Sequence, residues 1–313
     1  MKGQVAFSIR NNQISFHFVI ERNITVLRGY SATGKTKLIN LVRDYENFGP
    51  GRGIKLDCPY ECVVIEGRNW ERKLEETHNS IVFIDEGNAF LNSYEFANAA
   101  KHSSNYYVIA TRNTLYQLSY SIESICEIKR HGHRPDIVKM FEHISATDIE
   151  NLPYDILITE DSEAGFSFFQ KAANALGIQC VSAHGKSNLL TTLKAHEGLN
   201  ILLVADTAAL GCEIDALLQY QKFHEDQITF FLPECFEWLV LKSGLIRNHA
   251  LTNILSHPAD YIECENYFSW EPFFHDTLRN MTMGDALKQY SKTRLLPYYT
   301  NPANAQKIID AMK

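Results

Sequence analysis

The sequence predicts an α/β protein of two domains, each built on a parallel sheet, with a helical C-terminal tail. Three observations lead there. A short apolar segment passes through a glycine-bounded loop into a helical stripe at residues 24–45, four strand-then-helix units alternate over residues 154–245, and a polar stretch ending in Pro153 separates the two. At 313 residues the chain exceeds the size at which one core stops growing. The expected divisions are 1–150, 151–245 and a tail at 246–313.

The first residues, "MKGQVAFSIRNNQISFHFVIERN", alternate apolar and polar side chains. That is the period of half-buried strands and not the continuous apolar core of a signal peptide. No run approaches the ~20 apolar residues that span a bilayer, so a cytoplasmic location is expected. The seven cysteines (58, 62, 126, 180, 212, 235 and 264) are odd in number and scattered, as reduced thiols are. Cys58 and Cys62 form the one close pair, without the second pair of a closed zinc site, and "HGH" at 131–133 is a weaker pattern still.

The net charge of -7 falls wholly beyond residue 150, since acidic and basic residues balance before it. A chain of this sign exerts no long-range pull on a polyanion, which leaves local patches for any nucleic-acid contact. The candidates are "KRHGHRPDIVK" at 129–139 and "RNWERK" at 68–73, which read first as solvated surface.

The segment "NITVLRGYSATGKT" ends in GxxxxGK[ST] at Gly29, Gly34, Lys35 and Thr36, and Leu38, Ile39, Leu41 and Val42 then line one helical face. A loop of this kind wraps main-chain N–H groups, here those of Gly29, Ser31, Thr33 and Gly34, around phosphate oxygens. "SIVFIDEGNAF" follows, an apolar strand at 81–84 with Asp85 and Glu86 at its end. A third apolar strand, "YYVIATRN", ends in Thr111, Arg112 and Asn113.

These residues resemble the P-loop NTPase superfamily, with Walker A at 29–36 and Walker B at 81–86. The resemblance covers roughly residues 1–145 and implies ATP and Mg2+ as cofactors. It gives Lys35 to the β and γ phosphates, Thr36 and Asp85 to the metal, Glu86 to the attacking water and Arg112 to the γ-phosphate. No LSGGQ-like signature is present and there is no room for a coiled-coil insertion. Hydrolysis is the expected activity; a small-molecule phosphotransferase using residues 129–134 as a basic lid is the other enzymatic reading.

In the second half, ligands are expected just past the strands, at the carboxyl edge of the sheet. The residues there are Glu160, Asp161 and Glu163, then 184–188, Asp206 and Glu234, with Glu237 in the following helix. "LITEDSEAGF", "AHGKSNLL" and "LLVADTA" are similar to a TOPRIM domain, the topoisomerase/primase fold also found in the overcoming-lysogenization-defect nucleases. Over about residues 153–245 the resemblance makes Glu160 and Asp206 metal ligands. Asp161 stands where that family has glycine, and Ala208 replaces its second aspartate. Either Glu163, Glu234 or Glu237 substitutes, or the fold has lost its cutting activity. ATPase and TOPRIM pairs occur in defence against mobile elements and in DNA repair, which implies nucleic acid as a partner. A nucleotide-dependent switch with a non-catalytic second half is the alternative, and an arginine finger given in trans would make the chain self-associate.

Residues 246–313 offer little chemistry. "YFSWEPFFHDTL" places Trp270, Phe273 and Phe274 for packing or for a partner surface.

Overall fold

The alternating amino terminus folds as a hairpin of β1 (Val5–Arg10) and β2 (Ser15–Ile20), each burying every second residue. Asn11 makes the turn: its Oδ1 accepts from the N–H groups of Gln13 and Ile14 at 2.9 and 3.0 Å. The computed structural model describes residues 1–29, 33–129, 135–141 and 154–312. Ser31, the 131–133 motif, most of the proposed basic lid and the boundary expected near residue 150 lie outside the described residues.

Next come β3 (Ile24–Arg28), α1 (Lys35–Phe48), β4 (Lys55–Asp57), β5 (Cys62–Val64), α2 (Trp70–Glu75), β6 (Ile81–Ile84), α3 (Tyr94–Lys101), β7 (Tyr106–Ala110), β8 (Ile125–Lys129) and β9 (Asp136–Lys139). They form one nine-stranded sheet in the order β4-β1-β2-β9-β8-β3-β7-β6-β5. The sheet is mixed, which corrects the expectation of a parallel one. Strands β8, β3, β7, β6 and β5 run parallel, but β1 pairs antiparallel with β2 and β4, and β8 with β9. The burial patterns explain the division: β3, β6 and β7 are buried at every position, while the hairpin leaves one face open.

The two edge strands, β4 and β5, are consecutive in the chain and only residues 58–61 join them. Such a link reaches at most roughly 18 Å, whereas nine flat strands would separate the edges by roughly 38 Å. The sheet is therefore strongly curled. Phe7 of β1 meets Phe83 of β6 with ring centroids 5.1 Å apart, although β2, β3, α1, β4, β5 and α2 intervene in the chain. The helix α1 packs on β1, β4, β5 and β6 and buries Leu38, Ile39, Leu41 and Val42 inside the curl.

The second sheet is separate and all parallel, in the order β11-β10-β12-β13. It alternates β10 (Ile156–Thr159), α4 (Ala164–Ala175), β11 (Gln179–Ser182), α5 (Leu189–Ala195), β12 (Ile201–Val204), α6 (Ile214–Lys222), β13 (Ile228–Phe231) and α7 (Phe236–Lys242), as the sequence pattern predicts. Helices α8 (Leu251–Ser256), α9 (Trp270–Thr282), α10 (Pro297–Thr300) and α11 (Pro302–Asp310) follow. The chain divides into two compact units, Met1–Glu142 with His257–Ser269, and His143–Ser256 with Trp270–Lys313. Residues 257–269 thus count with the first unit, and α9 to α11 pack on the core of the second, where Phe274 is fully buried and Trp270 and Phe273 partly so. Among the described residues no helix is long and apolar enough to cross a membrane.

Candidate functional sites

In the first unit the strand order decides which side chains meet. Because β7 lies between β3 and β6 and all three run parallel, the residues following them gather at one edge. These are Gly29 with Gly34 and Lys35, Arg112 and the Asp85–Glu86 pair. Gly29 and Gly34 take φ angles of +133° and +114°, which side-chain-bearing residues rarely adopt, and Gly34 precedes the first turn of α1. Lys35 is buried, and its Nζ donates to the Gly29 carbonyl at 2.5 Å and approaches Thr33 Oγ1 at 3.5 Å. Burial lowers its pKa and the Arg112 charge lowers it further, while Glu86 and Asp85 act against that. The ammonium therefore senses all three of the other candidates.

Arg112 Nη2 lies 2.8 Å from Glu86 Oε1. Asp85 Oδ1 accepts from the Glu86 N–H at 2.9 Å, which fixes the carboxylate against its own turn. Thr111 is buried and exchanges hydrogen bonds with the Asn113 backbone, holding the turn that carries Arg112. Thr36 is exposed on the first turn of α1. Arg28, which motif matching overlooks, is a buried cation ending β3 beside Gly29, with Nη2 donating to the Tyr120 hydroxyl at 2.7 Å. An apolar strand that closes on arginine is the one signal of it in the sequence.

The proposed basic patches are partly neutralised. Lys73 holds Glu46 at 2.7 Å and Trp70 is buried against Phe90, with centroids 4.8 Å apart. Lys139 lies 3.0 Å from Glu123 and 3.6 Å from Glu21.

In the second unit the chain leaves β10 for β11 on one side and returns to β12 on the other, so the crevice between β10 and β12 opens at their carboxyl ends. Glu160 and Asp206 both stand there, on a cavity of about 250 Å3 that Glu163, His184 and Glu237 also line. Glu234 is not among its lining residues. Two more charged groups, Glu271 of α9 and Lys292, come from the region that showed no chemistry in the sequence. Burial, then the charge of Glu271, raises the pKa values of both Glu160 and Asp206; Asp161 adds to each, and Glu237 and Glu160 add to that of Asp206. Glu237, 2% exposed, is also raised by burial, against which works a 2.8 Å hydrogen bond that the Tyr290 hydroxyl donates to its Oε1.

Asp161 binds the first free amides of a helix. Its Oδ1 accepts from Glu163 N at 2.7 Å and its Oδ2 from Gly165 N and Phe166 N at 2.7 and 3.2 Å, at the start of α4. Among the described residues no group of three or more His, Cys, Asp or Glu side chains is arranged to hold a metal ion. Ala208, buried, supplies no ligand where a second aspartate would be. The acids of the second unit therefore do not fit the metal set that the TOPRIM resemblance implies. The first unit differs, because a nucleotide-bound Mg2+ takes most of its ligands from phosphate and water. Thr36 and Asp85 are oxygen donors suited to that demand.

No family model matches the chain, and no curated protein or solved structure matches it.

Proposed function

We propose that the first unit is an ATPase of P-loop type and that the second is a degenerate TOPRIM-like module without nuclease chemistry. One observation supports the first half above all. The strand order β3-β7-β6 collects Lys35, Arg112, Asp85 and Glu86 at one sheet edge, within electrostatic reach of a single ammonium.

On this reading the amides of residues 29–34 and the end of α1 receive the triphosphate. Lys35 exchanges its bonds to the loop for phosphate oxygens, and Thr36 and Asp85 would hold Mg2+, which would offset the charge developing between the β and γ phosphates. Arg112 and Glu86 then divide the remaining work. An incoming γ-phosphate competes with Glu86 for the guanidinium, because a multiply charged phosphate is the stronger partner. Released from Arg112, the Glu86 carboxylate is placed to accept a proton from the attacking water. Nucleotide arrival thereby frees the base, and an empty loop keeps it tied.

The test is phosphate release from ATP. Glu86→Gln should bind ATP with near-native affinity and lose hydrolysis by about 100-fold or more, and Lys35→Ala should abolish calorimetric binding. Unchanged affinity in Lys35→Ala refutes the proposal. ATP binding without hydrolysis in the native chain would favour the nucleotide switch instead.

A further inference from the structure

Four of the acids that line this cavity meet a partner supplied by the chain. Asp161 has the amides of α4, Glu237 has the Tyr290 hydroxyl, and Glu160 has the main-chain N–H of Lys186. Glu271 has Lys292, whose Nζ lies 2.5 Å from its Oε1. That ammonium lines the same cavity as Glu160 and Asp206, and its charge acts on Glu237 and Asp161 as well as on Glu271.

The placement of Lys292 is built rather than incidental. Two residues earlier, Tyr290 is 2% exposed, donates its main-chain N–H to Thr282 Oγ1 at 2.9 Å, and stacks edge-on against Tyr299 at 5.8 Å. Tyr299 in turn donates to the Lys288 carbonyl at 2.5 Å. The backbone leading to Lys292 is thus fixed at residues 288 and 290, and the four-carbon stem brings the ammonium to the cavity that the acids line. A divalent ion entering beside the ammonium would meet like charge at short range in a partly desolvated place.

We infer that Lys292 is the resident cation of this cavity, covalently supplied, and that it occupies the electrostatic role a metal ion would otherwise take among Glu160, Asp206, Glu237 and Glu271. The second unit then needs no metal to hold its carboxylates together, and this stands whether or not the first unit hydrolyses ATP.

The experiment is a Mn2+ titration of nucleotide-free full-length protein, followed by electron paramagnetic resonance of free Mn2+, in an Asp85→Asn background that silences the first unit. The Lys292-intact protein should bind no Mn2+ at millimolar concentration, and Lys292→Arg should behave the same. Lys292→Gln should gain one site, at least tenfold tighter than any in the parent, and Asp206→Asn should remove it. Should Lys292→Gln prove unstable, Mn2+ should raise its melting temperature while leaving the parent's unchanged. The inference is overturned if the parent binds one Mn2+ that Asp206→Asn abolishes. It is equally overturned if Lys292→Gln, folded or not, neither binds Mn2+ nor is stabilised by it.

Discussion

Arg112 and Glu86 hold one another across adjacent strand ends, Nη2 to Oε1 at 2.8 Å, with the arginine side chain 53% exposed. A pair this open to water contributes little to stability, ~0–1 kcal/mol, so its effect belongs to the reaction. Arg112→Ala should leave the melting temperature nearly unchanged and lower ATP turnover by about 100-fold or more, with ATP affinity weakened and ADP affinity preserved. Steady-state phosphate release and calorimetry with both nucleotides check this. Faster turnover in the variant would mean that Arg112 only restrains Glu86 and never touches phosphate.

Asp161 and Gly165 are coupled sterically as well as by a hydrogen bond. A methyl group on Gly165 would sit 2.7 Å from Asp161 Oδ2 and 3.4 Å from Phe236 Cβ. Asp161→Ala should cost about 1–2 kcal/mol as a lost helix cap, and Gly165→Ala about 1–3 kcal/mol through overpacking. The double variant should cost less than the sum, because the clash disappears with the carboxylate. Urea denaturation of the four proteins measures the coupling, and strict additivity would show that the two positions act separately.

Tyr290→Phe removes the hydroxyl donor of a carboxylate that is 2% exposed, and should cost about 1–3 kcal/mol at neutral pH. The folded pKa of Glu237 already lies above its ordinary 4.5. Such a group favours the folded state most below 4.5 and loses that contribution as pH rises through the folded value. Losing the donor raises the folded value further, so the penalty of Tyr290→Phe should shrink between pH 7.5 and pH 5. Melting curves across that range check it; a penalty independent of pH would show that Glu237 stays neutral in both proteins.

The Cys58 thiol is brought down to about 7 chiefly by the hydrogen bond from Cys62 and then by the Tyr60 main chain, against the pull of burial. Iodoacetamide should label it ahead of the buried Cys62, Cys180, Cys212, Cys235 and Cys264. Its rate should climb through about pH 7, and Cys62→Ala should move that midpoint upward toward the ordinary 9.0. Peptide mapping by mass spectrometry against pH decides this, and an unmoved midpoint would remove Cys62 as the cause.

What local spacing encodes was legible. The positive-φ glycines at 29 and 34, the start of α1 and the four alternating units of the second half are set by neighbours a few residues apart, and period and glycine placement report them directly. Arg112 and Glu86 could each be named from strand ends, but their pairing depends on β7 entering beside β6, which no short window contains. Glu271 and Lys292 were invisible for a stronger reason. Each is an ordinary charge in its own segment, and its meaning arises only when the backbone anchored at Tyr290 returns to strands more than 80 residues earlier. The mixed sheet escaped likewise, because β4 and β5 are three residues long and carry almost no pattern.

The curl of the first sheet bears on behaviour at high concentration. An open nine-stranded sheet would present two long rows of unsatisfied amides to neighbouring molecules, a template for intermolecular zipping. Here the terminal strands are three residues each, one of them framed by Lys55 and Asp57, and a four-residue strap ties them to a common corner. An invading strand finds a short, charged foothold there, and ordered stacking of one copy on another is discouraged by shape before any solubilising surface is considered.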